Sequence, residues 1–387
     1  MLKTKTVFSQ RCVKCSRRYE PQFHVITCDC GGLIDFEYDT NDLENWDWIQ
    51  DDLPGILRYS RLLPLLDPSK CVTIGNESLG PTPLYQSKGL GRFLGLSDLW
   101  IKNEIKNFTQ SFKARDTVIS ISRFLEIGIN RFVLCSTGNT AAAFCYALSR
   151  VSQPMQMHLF LPKRAIIDFD IPRKLVPDVT IIDGPYQKVI EEERSHSLRL
   201  NLPYEGGFRN PARREGSKTL RFEIAEAGLE VEWYVQGLAT GTGIYGVNKG
   251  FSELKKIGAV ESSPKMLAVQ PEECASIVNA HNANSNSLDP KFIVEDPKTS
   301  VTTLANGNPY FSYPYVRNVI TSSGGRLEKV SEKEIFESAT LLKKHENVNA
   351  DLAVAVALAG LRKSIAIGGV DRDSTILLNI SGGHRDH

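Results

Sequence analysis

The sequence predicts an α/β protein. Short apolar runs recur along most of the chain, among them Arg131–Cys135, Val179–Ile182, Trp233–Gln236 and Thr375–Ile380, and they read as buried strands. Stretches with helical spacing of apolar residues alternate with them, the pattern of helices laid on parallel sheets. Twice a strand runs through a glycine-bearing turn directly into a helix, after Cys135 and again after Gln236. With 387 residues and 41% hydrophobic content the chain can bury a large core, and two domains are expected.

Composition narrows the function classes. A net charge of +1 offers no electrostatic attraction to nucleic acid or to an anionic membrane, so neither is expected as a partner. The first ten residues lack the apolar stretch of a secretory signal, and the run Leu352–Leu361 is too short to span a bilayer. Eight cysteines without such a signal point to reduced thiols or a metal site in a cytoplasmic protein.

In chain order, residues 1–40 form a knuckled ribbon. Cys12 and Cys15 make a CxxC, Cys28 and Cys30 a CxC followed by two glycines, and a strand-like segment (Tyr19, Phe23, Val25, Ile26) separates them. Four thiolates so spaced could hold one structural zinc. Residues 41–75 read as an acidic, aromatic connecting arm whose tryptophans anchor it to the body. Gly80-Pro81-Thr82-Pro83-Leu84 is a rigid extended turn, and Leu99–Lys102 a short strand.

The stretch Asn107–Asp116 then runs into an amphipathic segment with Val118, Ile121, Phe124 and Leu125 at helical spacing. Lys113 is therefore expected on the first helical turn, where the positive end of the dipole and apolar cover from Phe112 disfavour its charged form. An amine held partly neutral can attack a carbonyl and form a Schiff base.

After the strand Arg131–Cys135, the turn Ser136-Thr137-Gly138-Asn139-Thr140 opens an alanine-rich helix and presents hydroxyl, amide and backbone donors to an anion such as a carboxylate. Strands at Met157–Leu161 and Val179–Ile182 continue the alternation. The basic run 206–219 leads to a helix near Leu220–Ala227, and its adjacent Arg213 and Arg214 could bind a phosphoryl group. The turn 237–243, with Ala239, Thr240, Gly241, Thr242 and Gly243 between a strand and a helix beginning near Tyr245, is the strongest phosphate signal. Residues 281–315 read as a long loop, a helix follows from about Asp351 to Lys363, and Ser381-Gly382-Gly383 closes the last strand at its carboxyl end, where open α/β sheets place ligands.

In this order the segments resemble the fold-type-II pyridoxal-phosphate enzymes of the threonine synthase family. The resemblance rests on the cysteine knuckles, Ser111-Phe112-Lys113, residues 136–140, Asn210 to Gly216, residues 239–243 and the terminal Ser-Gly-Gly. It implies two open twisted sheets flanked by helices, as in the tryptophan synthase beta chain. A large cofactor-phosphate domain (76–110 and 205–387) would face a small domain (111–204) carrying the substrate-carboxylate turn, and a homodimer is expected. By the same resemblance Lys113 would carry pyridoxal 5'-phosphate and Asn139 would bond the ring hydroxyl. Residues 239–243 would cradle the cofactor phosphate and Ser381 would meet the ring nitrogen. Ser136, Thr137, Gly138 and Thr140 would hold the carboxylate of a small phosphorylated amino acid, with Asn210, Arg213 and Arg214 on its leaving phosphate.

Within the family the expected activity is threonine synthase-like, converting O-phosphohomoserine to threonine and phosphate. Phe108, Gln110 and Ala114 depart from the usual threonine synthase pattern. Gly55–Tyr59, Asn306–Pro309 and Leu378–Gly383 look like the cysteate synthases, which exchange the phosphate of O-phosphoserine for sulfite. Two readings from other classes compete. One is an NAD-dependent oxidoreductase built on the GxGxxG of Gly241–Gly246 with Glu272 as ribose ligand. The other is a non-catalytic regulator that binds partners through its knuckles.

Overall fold

The computed structural model describes residues 8–68, 79–151, 153–165, 174–176 and 178–384. The expected arm boundary at 75 lies outside them. An N-terminal ribbon pairs β1 (Phe8–Cys12) antiparallel with β2 (Arg18–Tyr19) and with β3 (Ile34–Tyr38). The arm follows, held by Trp48, which is buried edge-on against Phe222 at 5.4 Å and donates its Nε1 hydrogen to the Asn45 carbonyl.

The body begins with β4 (Leu84–Gln86), α1 (Gly89–Leu94), β5 (Asp98–Asn103) and α2 (Lys113–Glu126). Next come β6 (Arg131–Cys135), α3 (Asn139–Leu148), β7 (Gln156–Pro162), β8 (Val179–Ile182) and α4 (Tyr186–Leu200). The chain continues through α5 (Pro211–Glu226), β9 (Trp233–Gly237), α6 (Thr242–Lys256), β10 (Lys265–Pro271), α7 (Ser276–Asn282) and α8 (Tyr313–Ser322). It ends with β11 (Arg326–Val330), α9 (Glu332–Glu346), α10 (Leu352–Ala366) and β12 (Thr375–Ile380).

Two sheets organise the body. Six strands run in the order β11-β10-β9-β12-β5-β4, parallel except for the antiparallel edge strand β4, and three parallel strands run β6-β7-β8. The central parallel strands β9, β10 and β12 are buried on both faces, hence their largely apolar runs. Helix α10 is apolar on nearly every side, and it is buried against β9 and β10. The Asp351 side chain caps it by accepting the Ala353 N–H at 2.7 Å.

Helix α5 differs most from expectation. It starts at Pro211 with Asn210 as N-cap, so the basic run 210–218 is not a loop but the first two helical turns. Residues 211–225 are all buried, most of the charged ones in ion pairs: Arg213 with Glu205, Arg214 with Asp35, Lys218 with Glu215 and Glu253, and Glu223 with Arg115 and Lys102, whereas the Arg221 guanidinium stacks on the Phe251 ring at 3.7 Å. Two glycines permit this packing. A Cβ on Gly216 would lie 2.2 Å from the Arg115 carbonyl oxygen of α2, and one on Gly246 of α6 would lie 2.5 Å from that of Arg214.

Other departures are local. The segment Tyr19–Ile26 is mostly turns, with only Arg18–Tyr19 in a strand. The long loop 281–315 takes in the end of α7 and the start of α8, and short 3-10 turns at 290–292 and 302–304 punctuate it. Helices α4 and α9 carry mixed polar sequences that periodicity did not single out.

Candidate active site

The two sheets meet the α2 loop along a short seam of backbone hydrogen bonds. The N–H of Phe112 donates to the Ser381 carbonyl at 3.0 Å, and that of Gly383 to Gln110 at 2.8 Å. The Asp351 N–H donates to the Gly382 carbonyl at 2.9 Å. This seam fixes the first turn of α2 beside the carboxyl end of β12, where Lys113 and Ser381 line one cleft.

Lys113 lies over the Phe112 ring, 4.1 Å from its centroid, with Nζ 3.1 Å from Asp116 Oδ2. Burial lowers its pKa, the Asp116 carboxylate opposes that shift, and the positive charge of Arg213 adds to it. About 20% of the side chain remains accessible, so the amine is sheltered yet open to the cleft. Asp116 is itself fully buried, and its other oxygen accepts the Ser217 hydroxyl at 2.5 Å.

The 136–140 turn forms a second wall. Ser136 Oγ accepts the N–H groups of Gly138 (3.1 Å) and Ala141 (3.0 Å), so this hydroxyl shapes the turn from beneath. Gly138 has φ of 144°, a conformation that favours glycine. Thr137, Asn139 and Thr140 line the cleft. The Asn139 side chain donates to Asp351 Oδ2 at 3.3 Å, and Thr303 donates to Asp351 Oδ1 at 3.2 Å. Neither Asp351 nor Thr303 was singled out from the sequence, although an aspartate heading an apolar helix at a sheet's carboxyl end was a usable signal.

The third wall is the turn before α6, where Gly237, Ala239, Thr240, Gly241, Thr242 and Gly243 line the cleft. The first intrahelical bond of α6 joins the Tyr245 N–H to the Gly241 carbonyl, so the preceding amides of the turn face outward as anion donors. Gly241 has φ of 92°, and a Cβ there would stand 2.3 Å from Val316 Cγ2.

The residues expected at a leaving phosphate are buried and paired within the protein, with Arg213 near Lys113 and Thr140. Asn210 is buried as the cap of α5 and donates to Glu205 at 2.7 Å. Arg213 grips Glu205 through two nitrogens and reaches Thr140 Oγ1 only at 3.5 Å. Arg214 turns to the ribbon, donating to the Ile34 and Phe208 carbonyls and to Asp35. Successive residues of a helix point about 100° apart, and the two neighbouring arginines of α5 turn to different partners. None of the three lines the cleft.

In the ribbon, the sulfurs of Cys12, Cys15, Cys28 and Cys30 lie within 4.8 Å of one another. Two approaches are 3.5 Å, Cys12 to Cys30 and Cys15 to Cys28. Four thiols so gathered could hold a zinc ion with no open position.

A lowered-pKa lysine facing an amide-rich turn, with a hydroxyl at the neighbouring strand end, fits pyridoxal phosphate. The turn is packed so closely that a side chain at Gly241 has no room, which leaves backbone amides to meet the phosphate. The dinucleotide reading has no such support. Glu272 pairs with Lys329 at 3.1 Å, half exposed and away from the cleft, and Gly246 serves the α5–α6 contact.

Comparison with known proteins agrees. Residues 76–382 match the pyridoxal-phosphate dependent enzyme family. A threonine synthase of Methanocaldococcus jannaschii is 30% identical over 97% of this chain and 92% of its own length. A cysteate synthase of Methanosarcina mazei is 28% identical with the same coverage. Among solved structures, diaminopropionate ammonia lyase from Escherichia coli superposes with a TM-score of 0.64 at 15% identity, over 89% of this chain and 94% of that one. These findings displace both the oxidoreductase and the non-catalytic regulator. No described helix is long and apolar enough to cross a membrane. The chain belongs to the pyridoxal-phosphate-dependent enzyme family, has the type-II fold, and uses pyridoxal phosphate as its cofactor.

Proposed function

We propose that this enzyme removes phosphate from an O-phosphorylated amino acid and adds a nucleophile in its place, with O-phosphohomoserine and water giving threonine. The observation that carries the proposal is the convergence of Lys113, Ser381, the 137–140 turn and the 239–243 turn on one cleft. Relatives of both kinds, threonine synthase and cysteate synthase, support the class of reaction.

The bound cofactor supplies an electron sink for charge released at Cα. Lys113 would hold the cofactor and, once displaced by the substrate amine, take the Cα proton; the lowered pKa suits it to that role. Thr137, Thr140 and the amides opening α3 would hold the substrate carboxylate, with Ser136 and Gly138 keeping the turn in shape. Asn139, steadied by Asp351, would bond the ring hydroxyl, and residues 239–243 would hold the cofactor phosphate. Ser381 would meet the ring nitrogen with a hydroxyl, which does not keep that nitrogen protonated, so elimination is favoured over transamination. Departure of phosphate breaks the carbon–oxygen bond with its electron pair, and water returns a hydroxyl and a proton.

Phosphate release from O-phosphohomoserine and from O-phosphoserine tests the reading. Release from the first, abolished together with the cofactor's visible band in Lys113→Ala, is the expected result. Release from O-phosphoserine alone, in the presence of sulfite, would assign the cysteate synthase reaction instead. Release from neither would refute the class.

A further inference from the structure

Strand β6 lies at the edge of the small sheet, with β7 on one side and no strand on the other. Backbone groups on that outer edge need partners of another kind. At Val133 the chain after α4 supplies them: the Val133 N–H donates to the Pro203 carbonyl at 2.9 Å, and the Glu205 N–H donates to the Val133 carbonyl at 2.8 Å. Two residues on, Cys135 presents the same edge to α4. Glu193 Oε1 accepts the Cys135 N–H at 2.9 Å, and Glu193 Oε2 accepts the Cys135 thiol at 3.1 Å. The Tyr186 hydroxyl donates to the Cys135 carbonyl at 3.4 Å and lies 3.5 Å from the sulfur. Tyr186 and Glu193 stand about two turns apart on α4, hence on one face. Two side chains thus replace a missing strand.

Packing alone does not call for a carboxyl group here. Glu193 is buried, and an apolar side chain would fill its space without the cost of desolvation. Burial also raises the Cys135 pKa, and the Glu193 charge raises it further, so the sulfur keeps its proton and serves as a donor. The bonds fix the root of the next turn. The carbonyl of the Cys135–Ser136 peptide is held by Tyr186, and its N–H donates to the Phe160 carbonyl of β7 at 3.1 Å. From that anchored peptide Ser136 Oγ sets the amides of Gly138 and Ala141, and Thr137 and Thr140 open on the cleft.

We infer that Glu193 and Tyr186 are positioning residues for the substrate carboxylate: they hold the end of β6 so that the 136–140 turn presents its donors in one orientation. The inference rests on the proposed reading of that turn as the carboxylate seat. Neither residue lines the cofactor cleft, so both act through Cys135. Donors that converge on one anion are sensitive to small shifts, and a displacement of about 1 Å can cost about 100-fold.

The test uses holoenzyme and two pairs of probes, L-threonine with L-threoninamide and L-serine with L-serinamide. Each amide keeps the amine and side chain and lacks the carboxylate charge. Binding is read from the change in the cofactor's visible band, on wild type, Glu193→Leu, Glu193→Gln and Tyr186→Phe. Glu193→Leu should weaken the two acids by about 10- to 100-fold and leave the two amides within about threefold. Glu193→Gln, whose amide oxygen still accepts the Cys135 N–H, should stay within about threefold of wild type, and Tyr186→Phe should fall between the two. KM for the phosphorylated substrate should follow the acids, with a smaller change in kcat. A retained visible band before titration separates a displaced turn from a lost fold, and should Glu193→Leu fail to fold, Tyr186→Phe carries the comparison. Equal losses for acids and amides would show a general packing role and overturn the inference. So would acid binding unchanged in both Glu193→Leu and Tyr186→Phe, or a wild type that answers to neither acid. A selective loss of acid binding in an enzyme that releases phosphate from no phosphorylated amino acid would keep the positioning role and refute the proposed function.

Discussion

Replacement of Gly241 by alanine isolates the physical basis of cofactor binding. The added methyl meets two penalties. At φ of 92° an L side chain lies in left-handed backbone, at a cost of about 1–2 kcal/mol. Its Cβ would also stand 2.3 Å from Val316 Cγ2, and overpacking of that kind typically costs about 1–3 kcal/mol. The sum, about 2–5 kcal/mol, is a large share of the total stability of a folded domain. Relief by a shift of the turn would move the amides that open α6, so the cofactor should be lost on dialysis far faster than from wild type. Val316→Ala separates the two penalties, because it opens the space and leaves φ untouched. Thermal unfolding of both single variants and the double should therefore be non-additive, with the double variant less destabilised than the sum by about 1–3 kcal/mol. Additivity within about 0.5 kcal/mol, or a Gly241→Ala protein that keeps its cofactor and its melting temperature, would refute the reasoning.

Three further outcomes follow from buried groups. Arg115 is fully buried between Glu104 and Glu223, so Arg115→Met should destabilise the fold by about 3–5 kcal/mol in denaturant titration by leaving carboxylates unpaired; a cost below about 1 kcal/mol would contradict the network. Glu193 has its carboxyl raised by burial to about 7 from an ordinary 4.5, so between those values the folded chain keeps a proton that the unfolded chain has lost. Stability should then fall by roughly 3 kcal/mol as pH rises from about 4.5 to about 7, and Glu193→Gln should flatten that slope in melts across the range. Metal analysis should find one zinc per wild-type chain and none in Cys12→Ser, with a lower melting temperature for wild type after chelation; a metal-free wild type of unchanged stability would remove the ion.

Strand positions were legible where parallel strands are buried on both faces and so must be apolar: Arg131–Cys135 and Thr375–Ile380 coincide with β6 and β12. Val179–Ile182 coincides with the edge strand β8, which is apolar although Ile181 is exposed. The walls of the cleft were legible because glycine beside hydroxyls at a helix start has few other uses, as at Gly138 and Gly241. The first half of helix α5 was not legible, although its end near Leu220 was expected. Periodicity detects helices through the contrast between an apolar and a polar face, and α5 has no polar face in water. Its charges are buried against partners distant in sequence, such as Asp35 for Arg214 and Arg115 for Glu223, and no local pattern reveals them.

The same burial explains what the neighbouring arginines do in the fold. A guanidinium in a sequence looks available, but in the interior it is usually paired, since leaving its charge uncompensated costs several kcal/mol. Arg213 and Arg214 meet that demand inside the protein, one through Glu205 and one through Asp35, and so become struts between α5, the small sheet and the ribbon. Arg221 of the same helix has no such carboxylate, and its guanidinium lies on the Phe251 ring at 3.7 Å. Burial thus acts on the arginines of α5 in two ways: two are held charged by carboxylates outside the helix, and the third, stacked on a neutral ring, has its pKa lowered by burial to about 9.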